Sequence, residues 1–299
     1  MLPGHEGEAQ ALIDSLDPDM LVVDEVHWAK DRRGTPTSQR REVLMGLRRR
    51  LRADAAVLGM SATPVVNDLS EGASLIELID GVRPSIDTRR VTITNVIALH
   101  EHMLRVGFRA VIDPEVDLDV SHPQIDLGSE VADSIASSAS AHPAALDAIL
   151  AEAYRDHVVA TALACRARGR GLVIYSEYVQ GIIAPLRAAL RSAGLTVALY
   201  TGAEKIAIAD LTDSGVDVLI GTSAIGTGID GIQYWADTLY LISLPWTGAA
   251  YEQVVGRVHR QGTKSERVSV VIPTGIVHGP DGRMSVSYTH LTLPTNREV

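Results

Sequence analysis

The sequence is poor in several things, and each shortage excludes something. One cysteine, Cys165, stands among 299 residues, so no disulfide can close within the chain and a reducing compartment is implied. No group of cysteines and histidines has the spacing of zinc ligands. Aromatic residues make up 4% of the chain, so the core must be built from Ala, Val, Leu and Ile. No apolar run approaches the roughly 20 residues of a membrane span, and no secretory signal opens the chain. A cytoplasmic protein with no membrane partner is expected. There is also no Gly-x-x-x-x-Gly-Lys-Ser/Thr phosphate loop, since Gly262-Thr263-Lys264-Ser265 has the wrong order.

What the chain does have is enough apolar sequence for one large domain or two ordinary ones, at 46% hydrophobic and 21% charged. The net charge of −10 argues mildly against a nucleic-acid partner, but the distribution of charge matters more than its sum. Lys30, Arg32, Arg33, Arg40, Arg41, Arg48, Arg49, Arg50 and Arg52 crowd one segment, while acids gather in 113–126 and near the amino terminus.

The chain is organised around Asp24-Glu25-Val26-His27, which follows the apolar run Met20–Val23. That run is too short for a helix and reads as a buried strand. Acids at the carboxyl end of a buried strand are costly without a task, and in an α/β sheet that end is where ligands sit. One carboxylate can hold Mg²⁺ through water while the next orients the attacking water. A helix is expected over about Gln39–Arg52, with Val43, Leu44, Leu47 and Leu51 on one face. Arg41, Arg48, Arg49 and Arg52 are expected on its solvated face. Ala55–Leu58 is the next strand. It runs into Gly59-Met60-Ser61-Ala62-Thr63-Pro64, whose hydroxyls come close to the acidic strand end if the two strands are neighbours. Asn67-Asp68 caps a helix through Leu78, and a further helical stretch is expected around Val96–Leu104.

Residues 113–143 are acidic, Ser/Ala-rich and punctuated by proline, the composition of a linker or insertion. Ala144–Arg168 reads as one long helix. From Gly171 onward strands and helices alternate, which implies a parallel sheet with right-handed crossovers. Gly221–Asp230 holds three glycines; Gly228 and its neighbours let backbone amides approach phosphate, and Thr222 and Ser223 offer hydroxyls to a nucleic-acid backbone. Asp230 can meet a ribose hydroxyl or an arginine. If Ala249–Arg260 is helical throughout, Gln253, Arg257 and Arg260 share one face, suited to a polyphosphate.

Taken together, these stretches resemble the superfamily 2 helicases and translocases. Asp24–His27 resembles motif II, Ser61-Ala62-Thr63 motif III, Gly221–Asp230 motif V and Gln253–Arg260 motif VI, with Leu172–Ser176 where motif IV would lie. Leu244-Pro245-Trp246 and His259-Arg260-Gln261-Gly262 resemble the Swi/Snf-like subgroup, although Asp230 stands where that subgroup often has Asn and Gly262 is not followed by Gln.

The resemblance implies an α/β protein of two RecA-like parallel-sheet lobes, the first truncated at its amino terminus, with ATP and Mg²⁺ between them. By position, Asp24 would coordinate Mg²⁺, Glu25 would activate water, and His27, Ser61 and Thr63 would couple nucleotide to nucleic acid. Arg257 and Arg260 would be arginine fingers. Gly228, Asp230 and Gln253 would touch nucleotide, and Thr222 and Ser223 nucleic acid. The implied activity is ATP-driven movement on nucleic acid, double-stranded DNA first. The alternatives are an RNA helicase of the Asp-Glu-x-His type and a non-catalytic nucleic-acid-binding module without a phosphate loop.

The expected organisation is a partial first lobe at 1–110, a linker or helical insertion at 111–168, a second lobe at 169–275 and a tail at 276–299. Without its phosphate loop the chain reads as the carboxyl-terminal piece of a longer protein, inactive by itself. From about residue 286 the tail resembles translated read-through of a sequencing adapter, the alternative being a strand in which Val286, Tyr288 and His290 alternate with Ser287 and Thr289.

Overall fold

The computed structural model describes residues 6–31, 36–62, 64–65, 68–110, 114–138, 142–278 and 284–287. The chain divides into two compact units, Met1–Val111 and Ile112–Glu298.

The first unit begins with α1 (Glu6–Leu16) and β1 (Met20–Val23), followed by a short helical turn at Val26–Ala29. Then come α2 (Gln39–Arg50), β2 (Ala56–Gly59), α3 (Leu69–Asp80) and α4 (Ile93–Val106). Caps set the helix starts: Ser38 accepts from the Arg41 amide, Asp68 from Glu71 and Thr92 from Asn95. Gly81 ends α3 in the left-handed conformation. β1 and β2 pair in parallel, Met20 opposite Ala56 through Val23 opposite Gly59, so the two candidate strand ends are neighbours.

Two expectations fail here. β1 is not a buried strand: Val23 packs against the cluster of Val26, Ala29, Leu75 and Leu78, but Met20 and Val22 are 53% and 52% exposed. Only alternate residues of a strand face one layer, and among the described residues no layer covers the other side. Nor does Arg41 lie on a solvated face. It is buried, with Nη1 donating to the carbonyls of Ala29 and Ser74, Nη2 to Glu77 at 2.8 Å, and Nε 3.0 Å from Asp31. A guanidinium has five donors, so one buried side chain can fasten three segments. The outer arginines are engaged by carboxylates, Arg50 by Asp14 and Arg52 by Asp17, Asp19 and Asp54.

The second unit opens with β3 (Asp117–Ser121), β4 (Gln124–Asp126) and α5 (Gly128–Ser137). α6 (Pro143–Ala153), α7 (Arg155–Ala167), β5 (Gly171–Tyr175), α8 (Ile183–Ser192) and β6 (Val197–Tyr200) follow. Next are α9 (Ile208–Asp213), β7 (Val218–Gly221), α10 (Ala224–Gly228), β8 (Ala236–Leu241) and α11 (Gly248–Val255). The unit ends with β9 (Arg267–Val271), β10 (Thr274–His278) and β11 (Met284–Ser287). Six strands form one parallel sheet in the order β3-β9-β8-β5-β7-β6. This is the α/β class and parallel sheet that the strand–helix alternation implies.

β5 and β7 are apolar runs, and β8 carries Asp237 and Thr238 among apolar residues; with helices on both faces all three are buried along their whole length. One core lies between the sheet and α6, α7 and α8; the other lies between the sheet and α10, α11 and Trp235. At Gly171 a side chain would run into the indole of Trp235, and the ladder shifts register there.

The segment 111–168, expected to be a linker or helical insertion, supplies β3 to the edge of this sheet and β4 to a three-stranded sheet with β10 and β11. The single helix expected over Ala144–Arg168 is two, interrupted at the buried Tyr154, whose hydroxyl is pushed up to about 12 by burial. In the tail, Met284–Ser287 pairs antiparallel with β10; residues 288–299 lie outside the described residues. Among the described residues no helix is long and apolar enough to cross a membrane.

His157 on α7 gives this unit a pH dependence. Its Nδ1 lies 3.0 Å from the Tyr240 hydroxyl, and burial lowers its pKa below the usual 6.5. As pH falls, the unfolded chain protonates this imidazole first, so it binds more protons than the fold does. Stability therefore falls from about pH 6.5 downward and levels off below the lowered value. In urea titrations, the midpoint difference between the natural chain and His157→Leu should change between about pH 7.5 and pH 5; a difference constant across that range refutes the assignment.

Candidate functional site

In the first unit the acidic strand end and the Ser61 segment meet directly. The ladder continues past the strands, with Met60 N–H donating to Val23 O and Val26 N–H to Met60 O, each at 2.9 Å. Asp24 is exposed at the end of β1, and its Oδ1 accepts from the Glu25 amide at 2.9 Å. Glu25 sits in the left-handed region at φ 50°. That conformation is strained for any residue but glycine, and strain of this kind collects at functional sites. His27 is the hub: its Nδ1 lies 3.0 Å from Ser61 Oγ and 3.1 Å from Glu25 Oε2. The same ring nitrogen thus stands within reach of both the second carboxylate and the Ser-Ala-Thr stretch. Thr63 lies outside the described residues.

Two supports of this site carry no motif signal. Lys30 donates to Glu71 at 2.9 Å, with side-chain exposures of 5% and 0%. The Asp31 amide donates to Ser74 Oγ at 2.9 Å. Both tie the turn after His27 to α3. Lys30 and Glu71 stand 41 positions apart, beyond the reach of any local pattern.

In the second unit the glycine-rich stretch and the arginines come together. Gly221–Asp230 starts at the carboxyl end of β7 and makes one helical turn, α10. Arg257 donates to Gly226 O from Nε at 3.1 Å and from Nη2 at 2.5 Å. Arg260 Nη1 lies 2.5 Å from Asp230 Oδ1, so Asp230 meets an arginine. Gln253 lies beside Gly226. Ser223 is exposed and Thr222 is buried. Gly228 has no room for a side chain, because a Cβ would lie 2.9 Å from the Tyr200 hydroxyl.

The shared helical face of Gln253, Arg257 and Arg260 is not formed. α11 stops at Val255 with Gly256 as its cap, and both arginines lie in the turns beyond it. Glycine disfavours helix continuation, and the turn seats Val258 in the core with no exposure. The arginines reach the loop from a turn rather than a helix. Next to them, His259 Nε2 meets Val116 O at 2.7 Å, which ties this turn to the start of β3.

Residues 154–262 match the family model of the helicase conserved C-terminal domain. No curated protein matches the sequence. Similar solved structures include the C-terminal part of the Fun30 ATPase domain, at 16% identity and TM-score 0.36, covering 40% of this chain and 41% of that one. Dbp5 from S. cerevisiae bound to RNA and ADP–beryllium fluoride is similar at 16% identity and TM-score 0.43, covering 84% and 52%. A Dbp5 structure with Gle1 and IP6 reaches 15% identity and TM-score 0.49, covering 89% and 56%. The chain therefore spans 41% to 56% of the length of these structures.

Proposed function

We propose that this chain, whose second unit carries a helicase C-terminal domain, is part of an ATP-driven motor that moves along double-stranded DNA. The observation that carries this reading is the junction of Gly221–Asp230 with Arg257 and Arg260 beyond the carboxyl end of β7. Backbone amides, two guanidinium groups and an acid gather there in one place, a set that suits a polyphosphate. The first unit contributes Asp24, Glu25, His27 and Ser61, the parts of a water-activating and coupling device. An exposed carboxylate is a hard oxygen donor, so Asp24 fits a magnesium ion held through water.

In this reading Glu25 takes a proton from the attacking water. His27 passes the state of that carboxylate to Ser61, and Arg257 and Arg260 offset charge that develops on the transferred phosphoryl group. Double-stranded DNA is favoured over RNA by the Leu244-Pro245-Trp246 and His259–Gly262 stretches. Trp246 is 60% exposed, available to a partner.

The test is binding and turnover. The chain should bind duplex DNA more tightly than single-stranded RNA of equal length, and its affinity should fall steeply with salt. Its ATP turnover should stay at background, with or without DNA, because it lacks a phosphate loop. Preference for RNA would select the Asp-Glu-x-His RNA helicase reading, and robust turnover would refute the need for a Gly-x-x-x-x-Gly-Lys-Ser/Thr loop.

A further inference from the structure

Tyr200 is the last residue of β6 and belongs to none of the motifs, yet it holds the glycine-rich loop at both ends. At one end its carbonyl accepts from the Thr222 amide at 3.2 Å. At the other its hydroxyl donates to Gly228 O at 2.8 Å. The physical need is clear from the shape of α10. A helix of five residues leaves its final carbonyls without partners inside the helix. Gly226 O is met by the Arg257 guanidinium and Gly228 O by the Tyr200 hydroxyl. The Tyr200 ring is itself fixed: the residue is 5% exposed, and the Lys205 ammonium lies 5.7 Å from the ring centroid.

We propose that Tyr200 is a positioning residue for the phosphate-facing loop. By holding Gly228 O it sets where the Gly226 carbonyl and the Asp230 carboxylate stand, and with them Arg257 and Arg260. It also bears on residue 228, where a methyl group would press on the hydroxyl. The role rests on the reading of 221–230 as a phosphate-facing loop, but the clamp itself does not.

Tyr200→Phe tests it, because phenylalanine keeps the ring and removes only the hydroxyl. Amide exchange over 222–231 should quicken by about fivefold to tenfold, the loss expected for one neutral hydrogen bond, while β5 exchanges as before. Affinity for a DNA duplex should fall by a similar factor with no change in the melting temperature of the core. Gly228→Ala should weaken binding in the natural background but add less than about twofold in the Tyr200→Phe background, where the hydroxyl no longer opposes the methyl. A ring that only fills space predicts no change in loop exchange and additive effects; either result overturns the clamp. If no form of the chain binds DNA, the motor reading falls, and the exchange data still decide whether Tyr200 holds the loop.

Discussion

Arg257→Ala is expected to lower kcat by about three orders of magnitude, within the range known for arginines that stabilise phosphoryl transfer. The assay is DNA-stimulated ATP hydrolysis by a protein in which both units accompany a phosphate-cradling loop. Arg257 is held by two bonds to one carbonyl, Gly226 O. Nε and Nη2 are thus held before nucleotide arrives, and Nη1 is the part of the fork left to meet phosphate without turning the side chain. KM for ATP should change far less than kcat, because the guanidinium acts on charge that develops only in the transition state. Arg257→Lys should not restore turnover, since an ammonium cannot form the planar fork. Turnover within about threefold of the natural protein would remove Arg257 from the mechanism. Arg260 is placed differently: it is exposed and paired to Asp230, so its contribution requires that pair to open.

Glu71→Ala is expected to have the largest effect on stability. It leaves the Lys30 ammonium in a site where the lysine side chain is 5% exposed and the glutamate 0%. Removing one partner of a buried pair costs about 3–5 kcal/mol, a large part of the roughly 5–15 kcal/mol that holds a domain together. The first unit is ill-placed to absorb that loss, for its apolar clusters are small and β1 is open on one face. Amide exchange in urea, read separately over α3 and over β5, should show α3 opening at much lower denaturant while β5 is unmoved. Replacing both partners with apolar residues, Lys30→Met with Glu71→Leu, should recover most of the loss, because no lone charge then remains buried. An unchanged α3 in Glu71→Ala would show that water or another acceptor already compensates Lys30. The site would suffer together with the fold, as this pair carries the turn after His27.

Much of this was legible along the chain. The Asp24–His27 stretch, the Ser61 stretch, the cap at Asp68 and the alternation from Gly171 onward are all local signals. Capping groups and their targets lie three residues apart, and strand or helix periodicity repeats within a few residues, so such features can be read without knowing what packs on what. That β1 and β2 are neighbours was a condition the sequence left open; their parallel pairing in the structure is what brings His27 to Ser61.

Other assignments could not be made this way. Arg41 stands among arginines that look alike in sequence, yet of the arginines on α2 it is the buried one, held by Asp31, Glu77 and the carbonyls of Ala29 and Ser74. The apolar pattern of 249–260 fits an unbroken helix, but the pull of Val258 into the core and the glycine at 256 end it at Val255. The acidic 113–126 stretch reads as linker, and β9 recruits part of it as an edge strand.

Sequence by itself therefore determined which elements form and which chemical groups stand at their ends. Tertiary structure decided which of those groups are partners: Lys30 with Glu71, Arg257 with Gly226, Tyr200 with Gly228. The reason is that secondary structure is settled by interactions between residues a few positions apart. The partner of a buried charge or hydroxyl is settled instead by the cost of leaving it unmet wherever distant segments happen to close around it.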